Sequence, residues 1–304
     1  MNYSASILNI KHFAVHDGDG IRTTVFFKGC PLACKWCHNP EGISFKAELA
    51  YHSEKCTLCQ KCASVCPASA HIFERKENLE TVHALDRQKC LLCGKCEKEC
   101  LSDALFLYGK KVSVADILPE LLEDRLFFDT SGGGVTLSGG ECLSQFKFAA
   151  ELLSALKKEN INCAVDTSGY ASKEAIDAVM PYTDTFLYDV KAFREDTHIA
   201  GTGRSNKIIL ENLCYIDSCG KDIEIRIPLI PNYNDGEIDM IGEFLSHLSH
   251  IKAVRILPYH SYCASKYESV DRDITLPDTM PSAEEVEKAE KTIEKYGIKI
   301  IKNS

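Results

Sequence analysis

Eleven cysteines between Cys30 and Cys100 fall into three blocks whose spacing sets the chemistry available to the chain. The first block is Cys30, Cys34 and Cys37, spaced C-x3-C-x2-C with no fourth cysteine nearby. The second is Cys56, Cys59, Cys62 and Cys66, and the third is Cys90, Cys93, Cys96 and Cys100. Both read C-x2-C-x2-C-x3-C, and each member of one lies 34 residues from its counterpart, so the region is an internal duplication. Closely spaced thiols serve metals, redox chemistry or disulfides. The start MNYSASILNIKHF lacks the apolar run and cleavage site of an export signal, and no stretch approaches the roughly 18 to 20 apolar residues of a membrane span. The chain therefore reads as soluble and cytoplasmic, with no membrane partner, where a reducing environment disfavours disulfides and leaves metal ligation. A net charge of −9 argues against a nucleic-acid footprint, which needs a basic face. With 45% apolar residues over 304 positions, the chain can bury a real core in one large domain or two moderate ones.

The duplicated spacing is that of two-cluster ferredoxins, in which three closely spaced thiolates hold one four-iron four-sulfur (4Fe-4S) cube and the fourth reaches across to the other. That pattern assigns Cys56, Cys59, Cys62 and Cys100 to one cluster and Cys90, Cys93, Cys96 and Cys66 to its neighbour. Pro67 completes the pattern after Cys66, while Leu101 stands where a second proline would be. A pair of four-thiolate zinc sites is the alternative. In the first block three thiolates on a four-iron cluster would leave one iron open, the property that separates a catalytic metal site from a closed structural one. The competing reading there is three buried cysteines, or zinc with a distant fourth ligand.

Short β-rich runs alternating with helical periodicity have to position these residues. Six strands are expected near Thr23–Phe27, Val135–Ser138, Asn162–Asp166, Thr185–Asp189, Ile223–Ile227 and Ala253–Leu257. Amphipathic helices lie between them, as at 145–158, and a last helix ends at Gly297. Six units are too few for a closed eight-stranded barrel, so the expected fold is α/β, a partial (β/α)6 barrel. An α+β ferredoxin-like insert interrupts it. The boundaries are 1–45 and 109–304 for the barrel and 46–108 for the insert, with repeats at about 47–76 and 81–110. The motif residues fall at the C-terminal ends of the strands, the edge where parallel βα barrels carry their sites.

The stretch VHDGDGIRTTVFFKGCPLACKWCHNPEG, with SGGGVTLSGGE, VDTSG, LYDVK, EIRIPLIPNYND and ILPYH, resembles the glycyl radical enzyme activating enzymes of the radical S-adenosylmethionine (SAM) superfamily over essentially the whole chain. The resemblance implies three 4Fe-4S clusters, one of them binding SAM at its open iron. Reductive cleavage of SAM to a 5′-deoxyadenosyl radical, which takes a hydrogen from one glycine of a partner glycyl radical enzyme, is the implied activity. It assigns Cys30, Cys34, Cys37 and Lys191 to catalysis, and Trp36, Cys37 and His38 to the neighbourhood of cluster and adenine. Gly139, Gly140 and Glu141 match the motif that meets the SAM amino group. Asp189, Val190 and Lys191 match the one that holds ribose and carboxylate, joined by Arg226 and His260. Asp166 and Thr167, with Asp189 and the Leu187 carbonyl, resemble a monovalent-cation site. The implied partners are the glycyl loop of that enzyme and a flavodoxin or ferredoxin as electron donor, with the chain itself a monomer. Asp17 is a candidate contact to the glycyl loop, although Asp19 replaces the family's usual proline.

Two rival functions remain. A radical SAM enzyme acting on a small molecule would carry its own substrate domain, and none is visible after Lys191. An iron–sulfur electron-transfer protein would need only the duplication, leaving the Cys30 block unexplained. The glycine-rich SGGGVTLSGG is not followed by G-K-[ST], which argues against a phosphate loop. The remaining cysteines, Cys142, Cys163, Cys214, Cys219 and Cys263, are expected to be inert packing residues.

Overall fold

A computed structural model describes residues 3–76 and 81–302. Met1, Asn2, the short stretch 77–80 between the two cysteine repeats, Asn303 and Ser304 lie outside the described residues. The strands are β1 (Ser4–Ala14), β2 (Arg22–Phe27), β3 (Glu48–Tyr51), β4 (His71–Arg75), β5 (Thr81–Leu85), β6 (Leu105–Tyr108), β7 (Lys110–Ser113), β8 (Gly134–Gly139), β9 (Asn162–Thr167), β10 (Thr185–Asp189), β11 (Asp222–Leu229) and β12 (Ile251–Pro258). Eight of them form one sheet in the order β12-β11-β10-β9-β8-β2-β1-β7. From β12 to β2 every pairing is parallel, and helices such as Phe146–Lys158, Lys173–Val179 and Ile238–Ser246 fill the crossovers. The chain is thus the expected α/β fold with a six-stranded parallel sheet, the core of a partial barrel.

Period-two alternation explains both faces of that sheet. Val25, Phe27, Val135, Leu137, Val165, Phe186, Ile225, Ile227, Val254 and Ile256 are fully buried against the helices in one continuous core. The alternate positions Thr24, Thr136, Ser138, Asp166, Asp189, Glu224, Arg226 and Arg255 are polar and face the concave side, where several bond across strands. A parallel sheet covered by helices on one face only can keep polar residues on the other, provided they pair.

Two strands were not anticipated. β1 pairs antiparallel with β2, and β7 antiparallel with β1, extending the sheet at one edge. Register shifts between Ile7 and Asn9 and between Lys11 and Ala14 break the alternation of β1, which hides its strand character in the sequence. The last helix also ends earlier than its glycine suggests. It runs Ala283–Glu294, and Gly297, at φ +75°, closes the turn beyond it.

Between β2 and β7 the cysteine repeats build a small unit in which β3 pairs β6 and β4 pairs β5, both antiparallel. The duplication is visible in the backbone. The left-handed residues Leu58, Gln60 and Ser69 recur 34 positions later as Leu92, Gly94 and Asp103. Short helices Lys61–Val65 and Lys95–Glu99 follow the left-handed turns. The amide of Ala70 donates to Cys66 Sγ, and that of Ala104 to Cys100 Sγ, at 3.3 Å each.

Candidate active site

The loop after β2 carries Cys30, Cys34 and Cys37, and backbone bonds from distant segments fix its shape. The amides of Ala33 and Lys35 donate to the carbonyls of Thr202 and Gly201 at 2.9 Å. From the C-terminal part of the chain, Tyr267 Oη donates to the Cys37 carbonyl (2.9 Å), Lys266 Nζ to that of His38 (3.1 Å) and Thr275 Oγ1 to that of Lys35 (3.0 Å). None of these three braces carries a motif, and sequence reasoning missed them. Gly140 closes the floor. A Cβ there would lie 2.5 Å from the Gly29 carbonyl oxygen and 2.6 Å from that of Gly42, so only glycine lets the strand end approach the loop.

These elements enclose a cavity of about 260 Å³ at the C-terminal ends of the parallel strands. The three cysteines, Trp36, His38, Gly139, Gly140, Asp166, Thr167, Asp189, Lys191 and Arg226 line it together. Glu141, Val190 and His260 are placed otherwise. The buried Glu141 carboxylate accepts from Leu143 N (3.1 Å), Thr167 Oγ1 (2.7 Å), Ser168 N (2.9 Å) and Ser168 Oγ (2.5 Å), and so ties the ends of β8 and β9 together. Val190 packs into the core, and its amide donates to the Arg226 carbonyl at 2.9 Å. His260 stands behind His38, the rings stacked at 4.2 Å, and His38 Nε2 lies 3.0 Å from the His260 carbonyl. Trp36 is 6% exposed, wedged against Gly201 and edge-on to Tyr233 at 5.3 Å, so packing fixes the ring even where it borders the cavity.

The electrostatics are those of a pocket for a zwitterion. Lys191 Nζ donates to Asp189 Oδ2 at 2.6 Å. Burial opposes the lysine's charge, but the Asp189 carboxylate outweighs it and holds the ammonium protonated. Arg226 lies 3.4 Å from Asp166, donates to the His16 carbonyl at 2.7 Å, and keeps Nε without a hydrogen-bond partner among the described residues. Asp166 is pushed up to about 6 by burial, against the pull of Arg226, and takes 2.6 Å from Ser138 Oγ. Deeper in the concave face Glu224 sits 3.1 Å from Arg255 and 3.7 Å from Arg226. The alternation in EIRIP and AVRIL held the signal for Glu224 and Arg255. Thr167 Oγ1 donates to Glu141 at 2.7 Å and accepts from the Gly169 amide at 2.9 Å, and it lines the cavity beside Asp166 and Asp189, the other residues expected around a cation. Asp17 is likewise engaged inside, accepting from Thr24 Oγ1 at 2.7 Å. Burial pushes the Cys37 thiol up to about 12 and those of Cys30 and Cys34 in the same direction, so a metal binding as thiolate complex must displace protons.

In the small unit the structure brings the cysteines together in two sets. One pocket is lined by Cys56, Cys59, Cys62 and Cys100, and the other by Cys66, Cys90, Cys93 and Cys96. The fourth cysteine of each run therefore belongs to the pocket of the other. Two histidines with no motif of their own stand between them. His83 Nδ1 is 3.6 Å from Cys56 Sγ, its Nε2 is 3.9 Å from Cys62 Sγ, and His71 Nδ1 is 3.0 Å from that same Nε2. Of the remaining cysteines, Cys142, Cys163 and Cys263 are buried as expected. Cys214 and Cys219 are not packing residues but lie exposed on and just beyond the helix Lys207–Ser218, where the solvent face also tolerates a small side chain.

Soft thiols, a paired ammonium, a buried guanidinium and a glycine cradle around one cavity fit an iron–sulfur cluster with an amino-acid head group beside it. Residues 24–245 match the family described as the radical SAM superfamily, and fold and site together define an enzyme of that class. The trans-4-hydroxy-L-proline dehydratase activating enzyme of Clostridioides difficile is 42% identical over 95% of this chain and 95% of its own. The choline trimethylamine-lyase activating enzyme of Oleidesulfovibrio alaskensis is 40% identical over 96% of each, and the isethionate sulfite-lyase activating enzyme of Nitratidesulfovibrio vulgaris 38% over 94% of each. The chain belongs to the glycyl radical enzyme activating enzymes, oxidoreductases of the radical SAM superfamily, and acts on a glycyl radical enzyme with a 4Fe-4S cluster and SAM.

Proposed function

We propose that Cys30, Cys34 and Cys37 hold the SAM-binding cluster and that the two insert pockets hold two further 4Fe-4S clusters, three in all. The observation that carries this is the sorting of eight cysteines into two crossed sets beside a separate triad that opens on a cavity. When bound, cluster and SAM supply one-electron cleavage of the sulfonium and the radical that takes hydrogen from the partner's glycine. The chain's own residues do the placing. Lys191 and Arg226 offer cations to the carboxylate of SAM, and Gly139 and Gly140 offer backbone carbonyls to its amino group. Asp189 is placed for the ribose hydroxyls, and His38, backed by His260, borders the adenine end. Glu141 and Val190 act through the backbone, by holding the strand ends that carry these groups. A monovalent cation between Asp166 and Asp189 would balance their charge.

The insert clusters relay electrons from a flavodoxin or ferredoxin, and the enzyme works as a monomer in the cytoplasm, where its ligand thiols stay reduced. Among the described residues no helix is long and apolar enough to cross a membrane. The candidate partners are the enzymes named for the relatives, a hydroxyproline dehydratase, a choline lyase and an isethionate lyase. The test is to incubate the reduced protein with SAM and each candidate, and to look for a glycyl doublet by EPR. A doublet with one candidate names the partner; 5′-deoxyadenosine formed without a doublet in any of them overturns the assignment of partner. Anaerobic reconstitution should give about twelve irons, from three clusters of four. About four irons, or zinc in the insert, overturns the three-cluster reading.

A further inference from the structure

The two halves of the insert are alike in backbone and cysteine spacing but differ in what touches the sulfurs. By the 34-residue repeat, His83 corresponds to Leu49 and His71 to Leu105. His83 lines the pocket of Cys56, Cys59, Cys62 and Cys100 together with Leu105, and in the pocket of Cys66, Cys90, Cys93 and Cys96 the matching places are held by Leu49 and His71, whose Nδ1 turns to His83 rather than to a sulfur. Two rings hold the imidazole of His83. It stacks on Phe73 at 4.4 Å and 5°, and meets Tyr51 edge-on at 4.4 Å. In the other half the residues matching Phe73 and Tyr51 are Leu107 and Leu85. Cys62, His71 and His83 are also the one trio among the described residues whose ligand atoms all lie within 4.8 Å of one another.

The contacts of His83 decide which way the protons point: Nδ1 lies 3.6 Å from Cys56 Sγ, whereas Nε2 is held by His71 Nδ1 at 3.0 Å and stands farther, 3.9 Å, from Cys62 Sγ. A neutral imidazole has one N–H and one lone pair, and a cysteine sulfur bound to iron has no proton to give, so it can only accept. If His83 Nε2 carried the proton and donated to His71 Nδ1, the Nδ1 lone pair of His83 would face the Cys56 sulfur at 3.6 Å, lone pair to lone pair. With the proton of the pair on His71 Nδ1, donated to His83 Nε2, the remaining N–H of His83 is on Nδ1 and points at Cys56. His71 thus sets the tautomer, in the way a second-shell partner sets a ligating histidine. Among the described residues no imidazole hydrogen-bonds to Cys66, Cys90, Cys93 or Cys96.

Reduction adds negative charge that spreads onto the sulfurs, and an N–H donor stabilises the reduced form. We propose that His83, oriented by His71, donates to the Cys56 sulfur and raises the reduction potential of the cluster on Cys56, Cys59, Cys62 and Cys100 above that of its duplicate. This rests on the reading that the insert holds two clusters. His83 is a positioning residue: it acts on the cluster through the cysteine and touches no substrate. The consequence is a direction, since an electron shared between two otherwise matched clusters settles on the one with the donor.

The experiment is a redox titration of the full-length reconstituted protein followed by EPR. His83→Leu, which copies the other half, should lower the potential of one insert cluster and leave the other two clusters unchanged. His71→Leu should lower the same potential by less, and His83→Gln, which keeps an N–H, should recover most of the loss. Unchanged potentials in His83→Leu at full iron content, or an equal shift of both insert clusters, would overturn the proposal. Should His83→Leu fail to retain iron, the native protein labelled with 15N-histidine decides: pulsed EPR should find a 15N coupling on one reduced insert cluster, and its absence on both refutes the donor. An iron content well below about twelve in the native protein overturns instead the cluster reading beneath it.

Discussion

The mouth of the barrel and the insert use the same side chain to opposite ends. Three cysteines at the mouth share a cavity of about 260 Å³ with a lysine, an arginine and two aspartates. Four cysteines converge in each insert pocket, one walled by Phe73, Leu105 and polar residues such as Gln60 and Ser102, the other by Leu49, Leu91 and Leu92, and among the described residues neither pocket has a lysine–carboxylate pair like that of Lys191 and Asp189 in its wall. A thiolate set one short of four, beside room and charge, is built to bind something on the metal. A complete set of four is suited to keep a metal closed. What sets the mouth apart from the insert is thus the missing fourth thiol and the charged wall opposite it, rather than the ligand type.

The largest effect should come from Cys34→Ala. Formation of 5′-deoxyadenosine should vanish while both insert signals survive in EPR; loss of all three signals together would mean the two regions are not separate centres. Next, Glu224→Gln should leave Arg226 and Arg255 buried without their shared partner and cost about 3 to 5 kcal/mol in denaturant unfolding. An unchanged midpoint would show that the polar concave face does not depend on its ion pairs. Lys191→Met should raise the KM for SAM about 10- to 100-fold, the worth of one or two charge-assisted hydrogen bonds, with all three cluster spectra unaltered. A changed insert spectrum would join regions that the structure keeps apart.

The smallest effect lies away from both. The hydrogen bond that His12 Nδ1 donates to Asp124 Oδ2, at 2.5 Å, raises the histidine above its usual value despite partial burial. A raised folded pKa contributes stability that is complete below the unfolded value of 6.5 and is lost as pH rises through the folded value. His12→Ala should therefore lower the melting temperature more at pH 6 than at pH 9, by less than about 1 kcal/mol in stability for this partly exposed pair, and leave both centres spectroscopically intact. An equal loss at both pH values would refute the ion pair's part in it.

The sequence was most legible where spacing is the chemistry. Cysteine intervals pointed to the same two groupings that line the insert pockets, because side-chain placement and chain spacing are tightly coupled in short turns. All six parallel strands were readable from alternation and β-branched content, within two residues at each end. The antiparallel edge was not, since the bulged β1 lacks a clean period. Contacts made over long sequence separations were equally hidden. Tyr267, Lys266 and Thr275 brace the cysteine loop from more than two hundred residues away, with nothing local to mark them. Glu141 shows the complementary failure. Its motif was clear and its address correct, but its carboxylate turns inward to Thr167 and Ser168, a direction no linear pattern carries.

The contrast between an open and a closed thiolate set makes one demand that can be measured directly. SAM labelled with 15N at its amino group, added to the reduced protein, should show a nuclear coupling in pulsed ENDOR to one cluster only, and that coupling should disappear in Cys34→Ala while the insert clusters remain. A coupling that persists in Cys34→Ala, or that appears on an insert cluster, would contradict the account.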